Sequence, residues 1–217
     1  MSKEVLQKII DGKIVAIVRG IDSGKIADLA RALAEGGITC IEVTFDQSAP
    51  ENTRNTLEGI ANIKAALGDR VCVGAGTVMT AEQVRQAARA GAEYMISPNI
   101  DPEVIAETKK LDKVSIPGAM TPTEVAYAYK CGADIVKMFP AGILGSDYIK
   151  AVKAPLKHIP VTAVGGVNAG NCAQFIRAGA CGVGVGGNLV SPALVNEGRF
   201  AEITALAKEY TDALAEV

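Results

Sequence analysis

One lysine inside an apolar segment has the clearest chemical potential in this sequence. Lys137 lies in residues 135–140, Ile-Val-Lys-Met-Phe-Pro, where apolar neighbours disfavour the ammonium form and lower the lysine pKa from its ordinary value. A neutral amine can attack a ketone and form a Schiff base. The cationic iminium then withdraws electrons, so it stabilises the enamine left when a neighbouring carbon–carbon bond breaks. The segment therefore predicts carbon–carbon cleavage of a keto acid at Lys137.

Three further polar residues stand where they could assist this chemistry. Glu42 and Arg19 lie toward the ends of apolar strand-like segments, and Thr77 follows a Gly-Ala-Gly run. Partial burial would raise the pKa of Glu42, so it could take the proton of a substrate C4 hydroxyl. Arg19 offers a forked donor for a carboxylate or phosphate, and Thr77 would suit a pyruvate carboxylate. The same pattern allows another interpretation, in which Glu42 and Lys137 form only a buried ion pair.

Paired glycines follow the last two predicted strands. Gly165 and Gly166 follow the seventh strand, and Gly186, Gly187 and Asn188 follow the eighth. Glycine lets backbone N–H groups approach an anion, and the loops after these two strands bind phosphate in many barrels. We therefore expect a phosphate site here, although tight turns also use paired glycines.

The elements that would position these groups alternate along the chain. Apolar runs rich in Val and Ile predict strands at residues 14–18, 38–43, 71–74, 94–97, 114–116, 134–138, 161–164 and 182–185. Helical patterns fall at residues 23–35, 51–66, 81–90, 102–110, 122–130, 146–153, 169–178 and 197–214, and residues 1–10 predict a covering helix. Such repeated units favour an α/β protein, a (β/α)8 TIM barrel with an N-terminal covering helix. A doubly wound open sheet would use the same units.

Composition excludes several classes of function. The chain has 217 residues, 49% of them hydrophobic, and a formal net charge of -2, so we expect one domain over residues 1–217 and no nucleic-acid partner. No apolar run approaches the ~20 residues of a membrane span, and no signal peptide is evident, so we expect a cytoplasmic protein without membrane contact. Five cysteines in no Cys-x-x-Cys spacing and one histidine predict no metal site. No cofactor is expected.

At these residues the chain resembles the 2-keto-3-deoxy-6-phosphogluconate/4-hydroxy-2-oxoglutarate aldolase family over nearly its whole length. The matching motifs lie at residues 17–20, 41–44, 74–78, 96–98, 116–118, 136–140 and 165–167. The resemblance implies a class I aldolase that releases pyruvate from a keto acid, including phosphorylated sugar acids, and a homotrimer. It also implies Lys137 as the Schiff-base residue and Glu42 as the acid/base. Near the pyruvyl moiety it implies Arg19, Thr77 and Pro98, with Phe139 beside the lysine.

Three positions depart from the gluconate-type pattern and bear on the substrate. Asp46 replaces an arginine that many members carry, Val164 replaces a threonine, and Asn188 replaces a serine. Asp46 cannot bind an anion, whereas Asn188 can still donate to a phosphate. The valine at position 164 resembles the pattern of 2-keto-3-deoxy-6-phosphogalactonate aldolases, and that activity is the alternative function. Other rivals are an epimerase, a thiamine-phosphate-synthase-like enzyme, and a non-catalytic sugar-acid or phosphate-binding barrel.

Overall fold

Parallel strands alternate with helices along the chain, which a computed structural model describes for residues 2–217. The strands are β1 (Ile14–Val18), β2 (Cys40–Thr44), β3 (Cys72–Gly76), β4 (Tyr94–Ile96), β5 (Val114–Ile116), β6 (Gly118–Ala119), β7 (Val136–Met138), β8 (Val161–Val164) and β9 (Gly182–Val185). Their order in the sheet is β5-β4-β3-β2-β1-β9-β8-β7-β6, with parallel neighbours. Because only Pro117 separates β5 from β6, the two ends of this order are one interrupted strand, and the sheet closes.

Pro117 interrupts the fifth strand because proline has no N–H to donate to a neighbouring strand. Carbonyl groups along this strand still accept from the next one: Asp134 N donates to Ser115 O at 3.0 Å and Lys137 N to Pro117 O at 2.9 Å. The predicted (β/α)8 barrel is therefore confirmed, with its fifth strand in two pieces. The alternative of an open doubly wound sheet is wrong.

The helices pack around this barrel and at one end of it. They are α1 (Ser2–Gly12), α2 (Ile26–Glu35), α3 (Thr53–Leu67), α4 (Ala81–Ala90), α5 (Pro102–Lys110), α6 (Pro122–Lys130), α7 (Ala141–Lys153), α8 (Cys172–Arg177), α9 (Pro192–Asn196) and α10 (Phe200–Leu214). Val5 and Ile9 of α1 are buried with Val15, Tyr94 and Ile116 of the strands. The covering helix is thus confirmed, although its predicted first residue, Met1, lies outside the described residues.

Three helical segments differ in part from the sequence prediction. Within α7, Gly145 has a φ of 79° and a ψ of 165° and divides the helix, so the predicted helix at residues 146–153 is present and a short helical segment that begins at Ala141 precedes it. The short α9 was not predicted, and the last helix begins at Phe200 rather than at residue 197. None of the helices described between Ser2 and Val217 combines the length and apolar character that crossing a bilayer requires.

Candidate active site

A cavity of about 630 Å³ lies at the carboxyl-terminal ends of the barrel strands. This is the end at which barrel enzymes carry their active sites. All ten site residues predicted from the sequence line it: Arg19, Glu42, Thr77, Pro98, Lys137, Phe139, Gly165, Gly166, Gly187 and Asn188. The fold therefore brings together groups from seven different strands or the loops that follow them.

Lys137 lies in the middle of β7, and only 7% of the residue is exposed. Burial lowers the pKa of its amine, because the charged form loses hydration; the charge of Glu42 opposes this effect and that of Arg19 adds to it. The ring centroid of Phe139 lies 5.0 Å from Lys137 Nζ and covers one side of the amine. The local environment thus favours a neutral, nucleophilic lysine.

Glu42 lies at the centre of β2 and is 2% exposed. Burial raises the pKa of its carboxyl group, against the opposing charges of Lys137 and Arg19. Within residues 2–217, Glu42 and Lys137 lie in the same cavity but are not joined by a salt bridge within 4.0 Å. The interpretation in which the two form a closed ion pair therefore does not describe this structure, and both groups face the cavity.

The loops after β8 and β9 form the other side of the cavity. Gly165 and Gly166 have φ angles of 91° and 73°, a left-handed backbone that glycine adopts at little cost. Gly142 N donates to Gly165 O at 2.7 Å, and Asn188 Nδ2 donates to Val167 O at 2.8 Å. These bonds fix the two glycine loops relative to each other and to the start of α7.

Two of the three departures from the gluconate-type pattern line the cavity, and one does not. Val164 and Asn188 are part of its wall. Asp46 instead lines a neighbouring cleft of about 660 Å³, which shares Arg19 and Thr77 with the cavity. Its carboxylate accepts from Ser48 Oγ at 2.6 Å and from Ser48 N at 2.9 Å, contacts that lower its pKa. The side chain of Asp46 therefore makes its hydrogen bonds within its own loop.

Sequence reasoning missed several lining residues. Ile17, Val167, Val190 and Pro192 also face the cavity. Each lies in an apolar or turn pattern that predicts core or loop equally well, so residue type gave no signal. Their side chains make part of the cavity wall apolar.

The buried lysine and the buried carboxyl group lie at the carboxyl-terminal ends of the barrel strands, where barrel enzymes carry their active sites. The family model for KDPG and KHG aldolases matches residues 5–206. The chain belongs to this family, and it is an aldolase, a carbon–carbon lyase.

Curated relatives and a solved structure agree with this assignment. The chain is 36% identical over 202 residues to the 2-dehydro-3-deoxy-6-phosphogalactonate aldolase of Escherichia coli (strain K12), covering 93% of this chain and 96% of that one. It is 35% identical over 210 residues to the 2-dehydro-3-deoxy-phosphogluconate aldolase of Treponema pallidum (strain Nichols), covering 95% and 94%. A KDPG aldolase structure from Legionella pneumophila, with pyruvate captured at low pH as a covalent carbinolamine, is 25% identical with a TM-score of 0.81, covering 90% and 92%.

Proposed function

We propose that this aldolase forms its Schiff base on Lys137 and uses Glu42 as general acid/base. Its substrate is a 2-keto-3-deoxy-6-phospho sugar acid or 4-hydroxy-2-oxoglutarate, and its products are pyruvate and an aldehyde, glyceraldehyde 3-phosphate or glyoxylate. The observation that carries the proposal is the burial of Lys137 in the same cavity as Glu42 without an ion pair between them. A lysine in this setting has a free amine, and the carboxyl group beside it can exchange protons.

The reaction follows from these two groups. Lys137 Nζ attacks the C2 ketone, and loss of water from the carbinolamine gives the iminium. Glu42 takes the proton of the C4 hydroxyl, the C3–C4 bond breaks, and its electron pair moves toward the iminium to give the enamine, while the aldehyde leaves. Protonation at C3 and hydrolysis then release pyruvate and restore the amine. The name of the Legionella relative, in which pyruvate is held as a carbinolamine, supports the first step for this chain.

The remaining lining residues would hold the two ends of the substrate. Arg19, Thr77 and Pro98 would bind the pyruvyl moiety, with Phe139 beside the amine. Backbone N–H groups of the glycine loops and the Asn188 amide would bind the phosphate. The loops that would contact the phosphate end of the substrate contain Gly165-Gly166 and Gly187-Asn188.

A galactonate-type substrate is the second candidate, and Val164 favours it. A valine in the cavity wall offers no hydroxyl to a substrate C4 substituent, and the E. coli relative is named for the galactonate compound. A wall that lacks this hydrogen bond discriminates weakly between C4 epimers.

Assembly and location are also part of the proposal. We infer a single aldolase domain over residues 1–217 that forms a homotrimer in the cytoplasm. Support for an interface comes from apolar side chains around α6 and α7: Ile143 is 84% exposed, Tyr127 48% and Met120 45%. All five cysteines are free thiols, in keeping with a reducing compartment. Light scattering should give a trimer for the wild type and a smaller species for Ile143→Lys; a monomeric wild type would contradict the assembly.

Trapping with pyruvate and borohydride tests the central claim. Reduction of the Schiff base should leave one reduced pyruvate on Lys137, located by peptide mass spectrometry, together with loss of aldol cleavage. Lys137→Ala should give neither adduct nor cleavage, while Lys150→Ala, at an exposed position of the neighbouring helix, should behave as the wild type. Substantial cleavage by Lys137→Ala would overturn the mechanism.

A further inference from the structure

The loop after β3 contains a strained residue in the candidate site. Thr77 has a φ of 54°, a left-handed conformation. A β-branched side chain rarely adopts this conformation, and such residues persist only where their surroundings hold them. Thr77 lines both the cavity of Lys137 and the neighbouring cleft, so its conformation bears on the shape of the site.

The residues on either side of Thr77 are bound to neighbouring strands. Gly76 O accepts from Phe45 N at 2.9 Å, and Val78 N donates to Ile96 O at 3.1 Å. Ser97 Oγ also donates to Val78 O at 2.7 Å. These bonds fix the flanks of the loop but leave the carbonyl of Thr77 to be held by another group.

That group is the side chain of Gln47, which comes from the loop after β2. Gln47 Nε2 donates to Thr77 O at 2.7 Å. The Gln47 amide is oriented by Gln83 in two contacts, Gln47 Nε2 to Gln83 Oε1 at 3.3 Å and Gln83 Nε2 to Gln47 Oε1 at 3.2 Å. Gln83 Oε1 in turn accepts from Met79 N at 2.8 Å. The two glutamines therefore hold the Thr77 loop between them.

We propose that Gln47 is a positioning residue, which holds Thr77 in its left-handed conformation and so sets the affinity of the site for the carboxylate of the keto acid. This rests on the proposed role of Thr77 at the pyruvyl moiety. Gln47 itself lines only the neighbouring cleft, so it acts through Thr77 and not by contact with the cavity of Lys137. Without its bond, Thr77 would relax toward a conformation that its side chain prefers.

A pair of charge-matched variants tests the proposal. Gln47→Glu keeps the size of the side chain but removes the N–H that Thr77 O accepts. Asn52→Asp adds the same charge to the cleft that Gln47 lines and leaves the contacts among Gln47, Gln83 and Thr77 in place. In borohydride trapping, the pyruvate concentration for half-maximal adduct should rise about tenfold in Gln47→Glu, as for loss of one hydrogen bond and the geometry it holds, and stay within about twofold in Asn52→Asp.

A glycine background separates conformation from charge. Glycine adopts positive φ without strain, so Gln47→Glu added to Thr77→Gly should change the half-saturating pyruvate concentration less than about twofold beyond Thr77→Gly alone. Thermal unfolding of each variant checks that the fold is retained. An unchanged Gln47→Glu, an equal rise in Asn52→Asp, or a full tenfold effect in the glycine background would overturn the role of Gln47. Failure of the wild type to trap any pyruvate would overturn the proposed function as well.

Discussion

Gly76 leaves the space that the carboxyl group of Glu42 occupies. A Cβ atom built on Gly76 would lie 1.6 Å from Glu42 Oε1 and 2.4 Å from its Cδ. The two residues come from neighbouring strands, β2 and β3, whose pairing places Thr44 beside Gly76. Any other residue at position 76 would have to displace the Glu42 side chain, so this glycine determines where the carboxyl group lies.

Gly76→Ala should therefore lower kcat by about 100-fold, because a displacement of a catalytic group by about 1 Å can have that effect. The added methyl group should also reduce the free energy of unfolding by about 1–3 kcal/mol through overpacking. In a Glu42→Ala background the space is empty, and the same substitution should cost less than about 1 kcal/mol. Denaturant unfolding of the four proteins measures this difference; an equal cost in both backgrounds would contradict the steric relationship.

The charges around Lys137 predict opposite pH shifts for two variants. The negative charge of Glu42 raises the pKa of Lys137, and the positive charge of Arg19 lowers it. Glu42→Gln should consequently move the pH midpoint of Lys137 reactivity down, and Arg19→Gln should move it up, starting from a wild-type midpoint below 10.5. The rate of labelling by an amine reagent, followed by mass spectrometry against the exposed Lys110, reports the midpoint. Shifts of the same sign in both variants would be incompatible with this arrangement.

Val164→Thr should sharpen discrimination between substrates. A hydroxyl at this wall position could bond the C4 hydroxyl of one epimer, so the kcat/KM ratio of gluconate-type to galactonate-type substrate should rise about tenfold. Val164→Ala, which shortens the side chain without adding a hydroxyl, should leave the ratio nearly unchanged. The wild type itself should discriminate by less than about 10⁴-fold, and a larger measured ratio would mean that another polar contact selects the substrate.

Asn188→Asp tests the phosphate end of the cavity. A carboxylate there would repel a phosphate and could not donate to Val167 O, the contact that Asn188 Nδ2 makes. We expect KM for a phosphorylated substrate to rise more than about tenfold, while cleavage of unphosphorylated 4-hydroxy-2-oxoglutarate changes much less. Steady-state kinetics with both compounds decides this, and equal losses would place the phosphate elsewhere.

The catalytic candidates could be predicted from the sequence because they are charged residues within apolar strand patterns. Lys137 and Glu42 were found because a charged residue in an apolar strand is costly and needs a reason. Their placement at one end of the barrel followed from the direction of parallel strands, and the motif resemblance pointed to the same two residues.

Relations between distant segments could not be predicted in this way. In the sequence Gly76 is only the last residue of a Gly-Ala-Gly run before Thr77, whereas in the structure it leaves the space for a side chain of the adjacent strand. Gln47 contacts Thr77 from a separate loop 30 residues earlier, and a polar residue in a loop gives no signal of its own. The interruption of the fifth strand at Pro117 also became visible only from the strand order of the closed sheet.

The position of Phe139 makes this chain well suited to optical measurement. The sequence contains no tryptophan, and the ring of Phe139, 41% exposed, lies 5.0 Å from the amine of Lys137. Phe139→Trp would introduce the sole tryptophan of the molecule, next to the Nζ atom of Lys137. Its emission would follow ligand arrival and departure in real time, without a label or a coupled assay.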